Sequence, residues 1–450
     1  MIVRSEPVLV VGGGLAGCEA ALQLAGRGHT VRVLEMRPEA ATPAHQTDLL
    51  GELVCTNSFK SEDTSNAHGA LKWEMDALGS VLLDSARTTR VPAGSALAVD
   101  RGLFARAMTE AVAGHPNVDL VRGECTALPP GPAIIATGPL TSDGLARSIQ
   151  EALGDENLAF YDAIAPIIER ESVDSSVVFE AGRFDEDSDY LNCPMSQPEY
   201  DAFIAALIAA DVYPGHDWEN IPYFEGCLPI EVMAARGPET LRFGPMKPIG
   251  LTDPRTGDRP WAVVQLRRED RVGQMWNMVG FQTRLRTGEQ DRVFRMIPGL
   301  ENAEFLRWGS IHRNSYLNHP ARLSPWGSPK GREDLLFAGQ LTGVEGYTES
   351  AASGILAGIN LHRILQGKEA AAPPPTTMMG GLGRYLRECD PKRFQPMNSN
   401  WGLLDPLPKR IRDRKQRREA MAARARADFA AWMGEVGISP ADPSSISVGA

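Results

Sequence analysis

The chain has 450 residues, of which 43% are hydrophobic and 23% are charged, and its formal net charge is -11 at pH 7. This composition predicts an ordinary soluble globular protein, long enough for a large core and for two domains. The negative charge does not favour nucleic-acid binding, so a nucleic-acid partner would have to contact a local basic patch.

The sequence predicts neither a membrane span nor a signal peptide. No apolar run reaches the length of a membrane-spanning helix, and the early run PVLVVGGGLAG is interrupted by glycines. The six cysteines include no CxxC pair, which favours a reducing compartment and a cytoplasmic location. We therefore expect no membrane partner, and no metal site is predicted. The sequence does not determine the oligomeric state.

A strand, a helix and a second strand are predicted between Pro7 and Met36. The run VLVV is β-branched, LAGCEAALQLAGRG has the apolar spacing of a helix, and TVRVLEM alternates between apolar and polar residues. Further along, RGLFARAMTEAVAGH predicts an amphipathic helix, NVDLVRG a strand, and GPAIIATGPL a buried strand that ends in a glycine turn.

The character of the chain changes near residue 184. From there to about residue 310, aromatic residues, prolines and arginines are more frequent, and the βαβ pattern is absent. The pattern returns in EDLLFAGQLTGVEGYTESAASGILAGINLHRIL, which predicts a strand, a glycine-rich loop and a long helix of small residues. We therefore predict an α/β domain in two parts, residues 1–183 and 313–450, interrupted by an α+β insertion domain at residues 184–312. A basic helical stretch, DPLPKRIRDRKQRREAMAARARADFAAWM, lies in the second part.

The first strand-helix junction carries a dinucleotide-binding fingerprint. Its glycines form the pattern GxGxxG directly after a strand and at the start of a helix, and Glu35 closes the second strand 18 positions beyond Gly17. The glycines permit a tight turn against a pyrophosphate, the helix N-terminus attracts the phosphates, and the acid can bind a ribose hydroxyl. The candidate nucleotide-binding residues here are Gly12, Gly13, Gly14, Leu15, Ala16, Gly17 and Glu35. The motif alone leaves NAD, FAD and S-adenosylmethionine open.

Two later stretches favour FAD. IIATGP resembles the second strand-turn of the large two-dinucleotide flavoprotein superfamily, and LLFAGQLTGVEGYTESAASGILAG resembles its late motif, which covers the ribityl chain and the pyrophosphate. The candidate flavin-binding residues are Thr137, Gly138, Gly339, Gln340 and Glu349. Gln340 stands where many members carry aspartate. The sequence has no second GxGxxG and therefore no separate NAD(P)H domain. The resemblance implies a glutathione-reductase-like FAD-binding Rossmann domain.

Five further stretches carry a more specific resemblance: LVCTNSFKS, FEGCLPIEVMAARG, LRFGPMKPIGL, AGQLTGVEGYTESAASG and FQPMNSNWGL. Together they resemble the folate- and FAD-dependent tRNA uracil-5-methyltransferases of bacteria over nearly the whole chain. The resemblance implies methylation at C5 of a tRNA uridine, the T-loop uridine at position 54. It also implies 5,10-methylenetetrahydrofolate as carbon donor and reduced FAD as reductant, reloaded by NAD(P)H.

Methylation at C5 of uracil requires activation, because this carbon is a poor nucleophile. A thiolate that adds to C6 makes C5 nucleophilic, and a base must later remove the C5 proton. The family resemblance implies two catalytic cysteines, matching Cys227 and Cys55 here. It favours Cys227 as the nucleophile and leaves Cys55 as the base or as an alternative nucleophile. Thiols need an electropositive setting to ionise near pH 7, and Lys60 is a candidate neighbour of Cys55.

Four further residues are candidates for contacts with folate or the flavin edge. His312 and Arg313 in GSIHRNSYLNHP are candidate folate contacts, although a surface histidine is an equally simple interpretation. Glu345 and Glu349 lie in the late motif and are candidates for the flavin edge or the pterin. Glu349 has an alternative role as an acid in the first turn of a helix.

Two basic clusters are candidates for tRNA phosphate contacts. One lies in LPKRIRDRKQRREAMAARAR and includes Arg410 and Arg414, and the other lies in the insertion and includes Arg267, Arg284 and Arg286. A solvated helix face is the alternative for the first cluster. The target base would have to be extruded, since a stacked uridine does not expose C5 and C6.

Three other functions remain open on the residues alone. The protein could be an FAD-dependent oxidoreductase for a small molecule, with Cys227 structural. It could be an FAD-bound RNA-binding protein without catalysis. It could also be the related flavoprotein that modifies the wobble uridine, although that protein has an additional C-terminal helical domain.

Overall fold

The computed structural model describes residues 6–42, 44–154, 158–184, 189–213 and 228–439. The strands are β1 (Val8–Val11), β2 (Val31–Glu35), β3 (Ser58–Ser61), β4 (Arg90–Val91), β5 (Ala96–Val99), β6 (Val118–Arg122), β7 (Ala133–Ile135), β8 (Leu158–Ile164), β9 (Ile167–Glu169), β10 (Phe179–Glu180), β11 (Tyr190–Met195), β12 (Ala262–Arg268), β13 (Met275–Met278), β14 (Phe305–Arg307), β15 (Ser310–Tyr316) and β16 (Leu335–Phe337). The helices are α1 (Leu15–Ala25), α2 (Ala67–Ala77), α3 (Val81–Thr88), α4 (Arg101–Ala113), α5 (Asp143–Leu153), α6 (Gln197–Ala209), α7 (Ile230–Ala235), α8 (Thr240–Phe243), α9 (Thr287–Phe294), α10 (His319–Arg322), α11 (Tyr347–Leu365), α12 (Met378–Glu388) and α13 (Arg414–Glu435). Among these helices, none is both long and apolar enough to cross a membrane.

The first sheet has five parallel strands in the order β16-β7-β1-β2-β6. Its central strands are runs of valine and isoleucine that are buried on both faces, as expected for a parallel sheet covered by helices. The predicted strand-helix-strand unit at the start of the chain is confirmed as β1, α1 and β2. The α/β class predicted from the sequence is therefore confirmed.

Helices α1 and α11 pack unusually close together against this sheet. A Cβ atom at Gly354 would lie 2.2 Å from the Ala16 carbonyl oxygen, and one at Gly358 would lie 2.8 Å from that of Ala20. The small residues of α11 thus bring the first and the last parts of the α/β domain into direct backbone contact. This packing places the start of α11 beside the start of α1.

The second sheet has six antiparallel strands in the order β10-β11-β12-β13-β9-β14. Helices α6 and α9 supply aromatic side chains to its core, where Phe281 contacts Phe203 and Phe294. The predicted boundary at residue 184 falls inside this sheet, because β9 and β10 belong to it. We therefore propose an inserted region that begins at β8 and ends at β15, the antiparallel pair through which the chain leaves and re-enters the α/β domain.

The C-terminal helix α13 folds back onto the α/β domain. Met421, Ala425, Phe429 and Trp432 form its buried face at helical spacing. Phe429 packs against Trp73 of α2, with ring centroids 6.3 Å apart. The helix begins after Asp413, whose side chain accepts a hydrogen bond from the Gln416 amide, so the first part of the predicted basic helical stretch precedes the helix.

Candidate active site

The junction between β1 and α1 forms a cradle in which Gly12 and Gly17 have no room for a side chain. A Cβ atom at Gly12 would lie 2.6 Å from the Ala136 carbonyl oxygen, and Gly12 has a φ of 101°. A Cβ atom at Gly17 would lie 1.9 Å from the Gly12 oxygen. The first-turn amides of α1 have no side-chain cap at Gly14 and are available to an anionic group.

Glu35 lies at the base of this cradle as a carboxylate. Its Oε2 accepts a hydrogen bond from the Gly13 amide at 2.7 Å, and its Oε1 accepts one from Arg37 Nε at 2.7 Å. Burial opposes its ionisation, but hydrogen bonds and charge from Arg37 outweigh burial and lower the pKa of Glu35. The sequence predicted Glu35 but gave no indication of Arg37, which pairs with both Glu35 and Glu52.

A cavity of about 580 Å³ opens beside these groups. Its lining includes Gly12, Gly14, Leu34, Glu35, Arg37, Thr137, Leu140 and Leu145. Apolar side chains for an adenine ring, a carboxylate for ribose hydroxyls and a bare helix N-terminus fit the ADP half of a dinucleotide. Thr137 lies at the cavity wall with its hydroxyl 2.6 Å from that of Thr141, and Gly138 follows with a φ of 66°.

The late motif runs from β16 into α11 and lies against the same cradle. Gly339 has a φ of 78°, and its amide donates to the Ser353 hydroxyl at 2.6 Å. A Cβ atom at Gly339 would lie 3.0 Å from the Ala16 Cβ. The Gln340 amide nitrogen donates to Glu345 Oε2 at 2.7 Å, so these two predicted residues contact each other.

Glu349 is fully buried in the first turn of α11 and links three segments. Its carboxylate accepts hydrogen bonds from the Ser399 amide and the Thr348 hydroxyl, each at 2.9 Å, and its Oε1 lies 3.3 Å from His68 Nδ1. Burial raises its pKa, but His68 and Lys60 outweigh burial and lower the pKa of Glu349 to about 2. Both carboxylate oxygens thus contact protein groups, and a direct contact with the flavin stays a prediction.

Cys55 is half-buried in the loop that precedes β3, and the start of α11 holds this loop. The Cys55 and Thr56 amides donate to the Tyr347 phenol oxygen at 2.9 and 3.2 Å. Tyr347 is the first residue of α11, so it connects the Cys55 loop directly to the late motif. No sequence pattern indicated this role, because the two residues are 292 positions apart.

Three arginines from three different elements surround the Cys55 loop, and we call them the arginine cluster: Arg101, Arg267 and Arg307. Arg101 donates to the Cys55 carbonyl at 2.8 Å, and Arg307 donates to the Val54 carbonyl at 2.8 Å. Arg267 donates to the Thr56 hydroxyl at 2.8 Å. Burial lowers the pKa of Arg267 and of Arg307, whereas at Arg101 burial is outweighed by the carboxylate of Glu269, which raises the pKa.

The arginine cluster places positive charge around the Cys55 loop, and a role for this charge in activating the thiol stays a prediction. The sequence named Lys60 for this role, but Lys60 is exposed and its charge acts on Glu349 and Lys72. Arg267 was predicted as part of a basic tRNA-binding cluster, whereas the structure buries it beside Cys55. Arg101 and Arg307 were missed because they lie far from Cys55 in the sequence.

Two similar proteins carry the same name. A protein of Geobacter sulfurreducens named methylenetetrahydrofolate--tRNA-(uracil-5-)-methyltransferase TrmFO is 53% identical over 432 residues, which cover 95% of this chain and 99% of the relative. A protein of Anoxybacillus flavithermus with the same name is 54% identical over 419 residues, covering 93% and 97%. The chain belongs to the methylenetetrahydrofolate--tRNA-(uracil-5-)-methyltransferase family.

Two broader comparisons agree with this family. The model of the family described as glucose inhibited division protein A matches residues 7–369. Among solved structures, Aquifex aeolicus GidA in its form II crystal superposes with a TM-score of 0.67 at 16% identity, covering 97% of this chain and 77% of that chain. At this identity the superposition shows the fold alone, and it agrees with the predicted α/β fold class.

The remaining residues predicted for catalysis or tRNA binding belong to other segments of the chain, and one of them is not among the described residues. Cys227 lies outside the described residues. The structure describes only the backbone of His312 and Arg313, which lie in β15 opposite Asp162 and Tyr161 of β8. The four predicted tRNA-contacting arginines lie at two surfaces: Arg284 and Arg286 before α9, and Arg410 and Arg414 at α13.

Of these four arginines, three are exposed: Arg286, Arg410 and Arg414. Arg284 is half-buried, and its Nε lies 3.6 Å from Glu231 Oε1, so a carboxylate partly neutralises its charge. Its role in tRNA binding stays a prediction, as do those of the three exposed arginines.

Proposed function

We propose that the protein methylates C5 of a uridine in tRNA, with 5,10-methylenetetrahydrofolate as the carbon donor. The observation that carries this proposal is the near full-length identity of about one residue in two with relatives named for that reaction. The cradle at α1 and the Cys55 loop support it, because Tyr347 joins the loop to the late flavin motif. We also propose the T-loop uridine at position 54 as the target and a cytoplasmic location.

Each part of the site has a chemical task in this reaction. The N-terminus of α1 binds pyrophosphate, Glu35 binds a ribose hydroxyl, and the late motif covers the ribityl chain. Bound FAD, reduced by NAD(P)H, supplies the hydride that converts a methylene-level carbon into a methyl group. Gly12, Gly17 and Glu35 hold this cofactor. The two cysteine thiols act on the uracil base.

The thiols activate the base and release the product. One thiolate adds to C6 of the extruded uracil and makes C5 nucleophilic. After C5 has bonded to the one-carbon unit, a base removes the C5 proton and the bond from this carbon to the folate nitrogen breaks. Addition of a hydride to the resulting exocyclic methylene completes the methyl group, and the C6–S bond breaks to return the thiolate. We propose Cys227 and Cys55 for these two tasks. Experiment must determine which of the two cysteines is the nucleophile and which is the base.

The test uses purified protein, unmodified tRNA, methylenetetrahydrofolate and NADPH. After digestion of the RNA, mass spectrometry of the nucleosides is expected to reveal 5-methyluridine that depends on the folate and does not form with S-adenosylmethionine alone. Sequencing of the modified RNA checks position 54. A flavin-containing protein that forms no 5-methyluridine would contradict the proposed function and favour an oxidoreductase for a small molecule.

A further inference from the structure

The arginine cluster carries more positive charge than the protein neutralises. Arg101 forms an ion pair with Glu269, whose side chain is only 1% exposed. Within the described part of the chain, neither Arg267 nor Arg307 has a carboxylate within ion-pair distance. The charge of Glu269 also acts on Arg267 and Arg307, so a single carboxylate is shared among three guanidinium groups. Since a charge that is removed from water requires a partner, the cluster has room for a further anion.

The geometry of the Arg267 and Arg307 guanidinium groups leaves donors available. In the described part of the chain, Arg307 donates one hydrogen bond, from Nη2 to the Val54 carbonyl. Arg267 donates from Nε to the Asn57 side chain and from Nη2 to Thr56, which leaves its Nη1 without an acceptor there. Burial lowers the pKa of Arg307, and the charge of Arg101 lowers it further, while the charge of Glu269 raises it.

The chemistry of a nucleotide indicates which anion fits here. C6 of a pyrimidine faces the 5′ side of its own ribose, so a thiol that reaches the reacting edge of the base lies near the 5′-phosphate of that nucleotide. The carboxylates of a folate, in contrast, lie at the end of the molecule that is remote from its one-carbon unit. A nucleotide phosphate therefore suits an anion site next to Cys55 better than a folate carboxylate does.

We propose that Arg307 and Arg267 bind the 5′-phosphate of the target uridine and thereby hold the extruded nucleotide at Cys55. The planar guanidinium fork suits this task, because it donates two parallel hydrogen bonds to phosphate oxygens. This inference rests on the proposed function, since it takes a tRNA uridine as the substrate. The proposed phosphate-binding subsite is formed by β12 and β14 of the inserted region, and it lies beside the Cys55 loop of the α/β domain.

The first experiment measures binding of fluorescent unmodified tRNA, without folate, at several salt concentrations. The Arg307→Gln variant is expected to bind about tenfold more weakly, and the slope of log affinity against log salt should decrease by about 0.7 to 1, as for one lost phosphate contact. The control is Arg32→Gln, because Arg32 is exposed on β2 and pairs with Asp119. Flavin content and thermal unfolding check that each variant is folded.

The second experiment locates the phosphate. A T-arm RNA hairpin with a neutral methylphosphonate on the 5′ side of the target uridine should bind wild-type protein more weakly than the unmodified hairpin. Arg307→Gln should show a smaller difference between the two hairpins than wild type, since one of the two proposed contacts is already lost. A methylphosphonate on the 3′ side should not distinguish the two proteins.

Three outcomes would overturn the phosphate subsite. They are an unchanged salt slope in Arg307→Gln, a methylphosphonate effect that is equal in both proteins, and a raised KM for methylenetetrahydrofolate with unchanged tRNA binding. The last would assign the two arginines to a folate carboxylate. Because binding is measured without turnover, a protein that binds tRNA but forms no 5-methyluridine would contradict only the proposed function.

Discussion

The dinucleotide cradle and the Cys55 loop are built in different ways. The cradle is formed by neighbouring residues, since Gly12 to Gly17 and Glu35 belong to one strand-helix-strand unit. The Cys55 loop is held by α4, β12, β14 and α11, which come from distant parts of the sequence. A local motif can thus define the cofactor site, whereas the reactive thiol depends on how the two sheets assemble.

The largest expected effect is the loss of methylation when the thiol of the Cys55 loop is removed and the cradle is left intact. Cys55→Ala should reduce formation of 5-methyluridine by about 1,000-fold or more, because the reaction loses a thiol that acts on the base. Flavin content should stay at the wild-type level, since Cys55 is not part of the cradle. Cys389→Ala, which changes another half-buried cysteine, serves as the control and should remain active. Equal activity in the two variants would contradict a catalytic role for Cys55.

The reverse separation comes from the cradle. Gly17→Ala places a Cβ 1.9 Å from a carbonyl oxygen, so the turn must open and flavin content should fall below about a tenth of wild type. Gly288→Ala is the control, because Gly288 lies in α9 of the inserted region and a Cβ there would meet no atom within 4 Å outside its own helix backbone. Absorbance of purified protein at flavin wavelengths measures both. If Gly17→Ala retained full flavin content, the cradle geometry would be wrong.

The contribution of Glu349 to the link between the two regions can be measured as a change in the free energy of unfolding. Its pKa is about 2 in the folded protein against 4.5 for an ordinary glutamate, so its stabilisation is fully present above pH 4.5 and is lost as pH falls towards 2. Glu349→Gln should therefore lower the free energy of unfolding by about 3 kcal/mol at pH 7 and by progressively less below pH 4.5. Urea unfolding at pH 7 and pH 4 measures the difference. A difference that does not change between these pH values would exclude the charge of Glu349 as its cause.

The smallest effect concerns the position of the thiol. Tyr347→Phe removes the phenol oxygen that accepts from the Cys55 and Thr56 amides, at a cost of about 1 to 3 kcal/mol in stability. Methylation should fall about tenfold while flavin content is retained. Tyr385→Phe is the control, since Tyr385 contacts Gln395 and lies away from the Cys55 loop. A loss of flavin from Tyr347→Phe would show that the phenol serves the cradle and not the thiol.

The residues that the sequence predicted well are those whose environment is local. Glycines with a required conformation, a β-branched strand and an acid at a fixed spacing define the cradle without knowledge of the rest of the chain. The α/β class follows from the same pattern, and the family follows from motifs distributed along the chain. Glu35 therefore lies beside Gly13 as the spacing predicts.

The residues that the sequence missed depend on tertiary contacts. Arg101, Arg307 and Tyr347 reach Cys55 only because the six-stranded sheet packs on the Cys55 loop and α11 packs on α1. The boundary at residue 184 was predicted from composition, but β9 and β10 pair across it. Composition does not reveal strand pairing between distant segments. Burial cannot be predicted from composition either, and Arg267, which the sequence predicted as a surface cation, is buried.

The close contact between α1 and α11 also governs the order in which the protein can mature during translation. Gly354 packs on the backbone of Ala16, and β16 covers the outer edge of β7, so both elements are synthesised more than 300 residues after the glycine turn that they complete. A nascent chain must therefore carry an unfinished cofactor site while the whole inserted region is made. We therefore expect the complete cofactor site to form only after the inserted region has been synthesised.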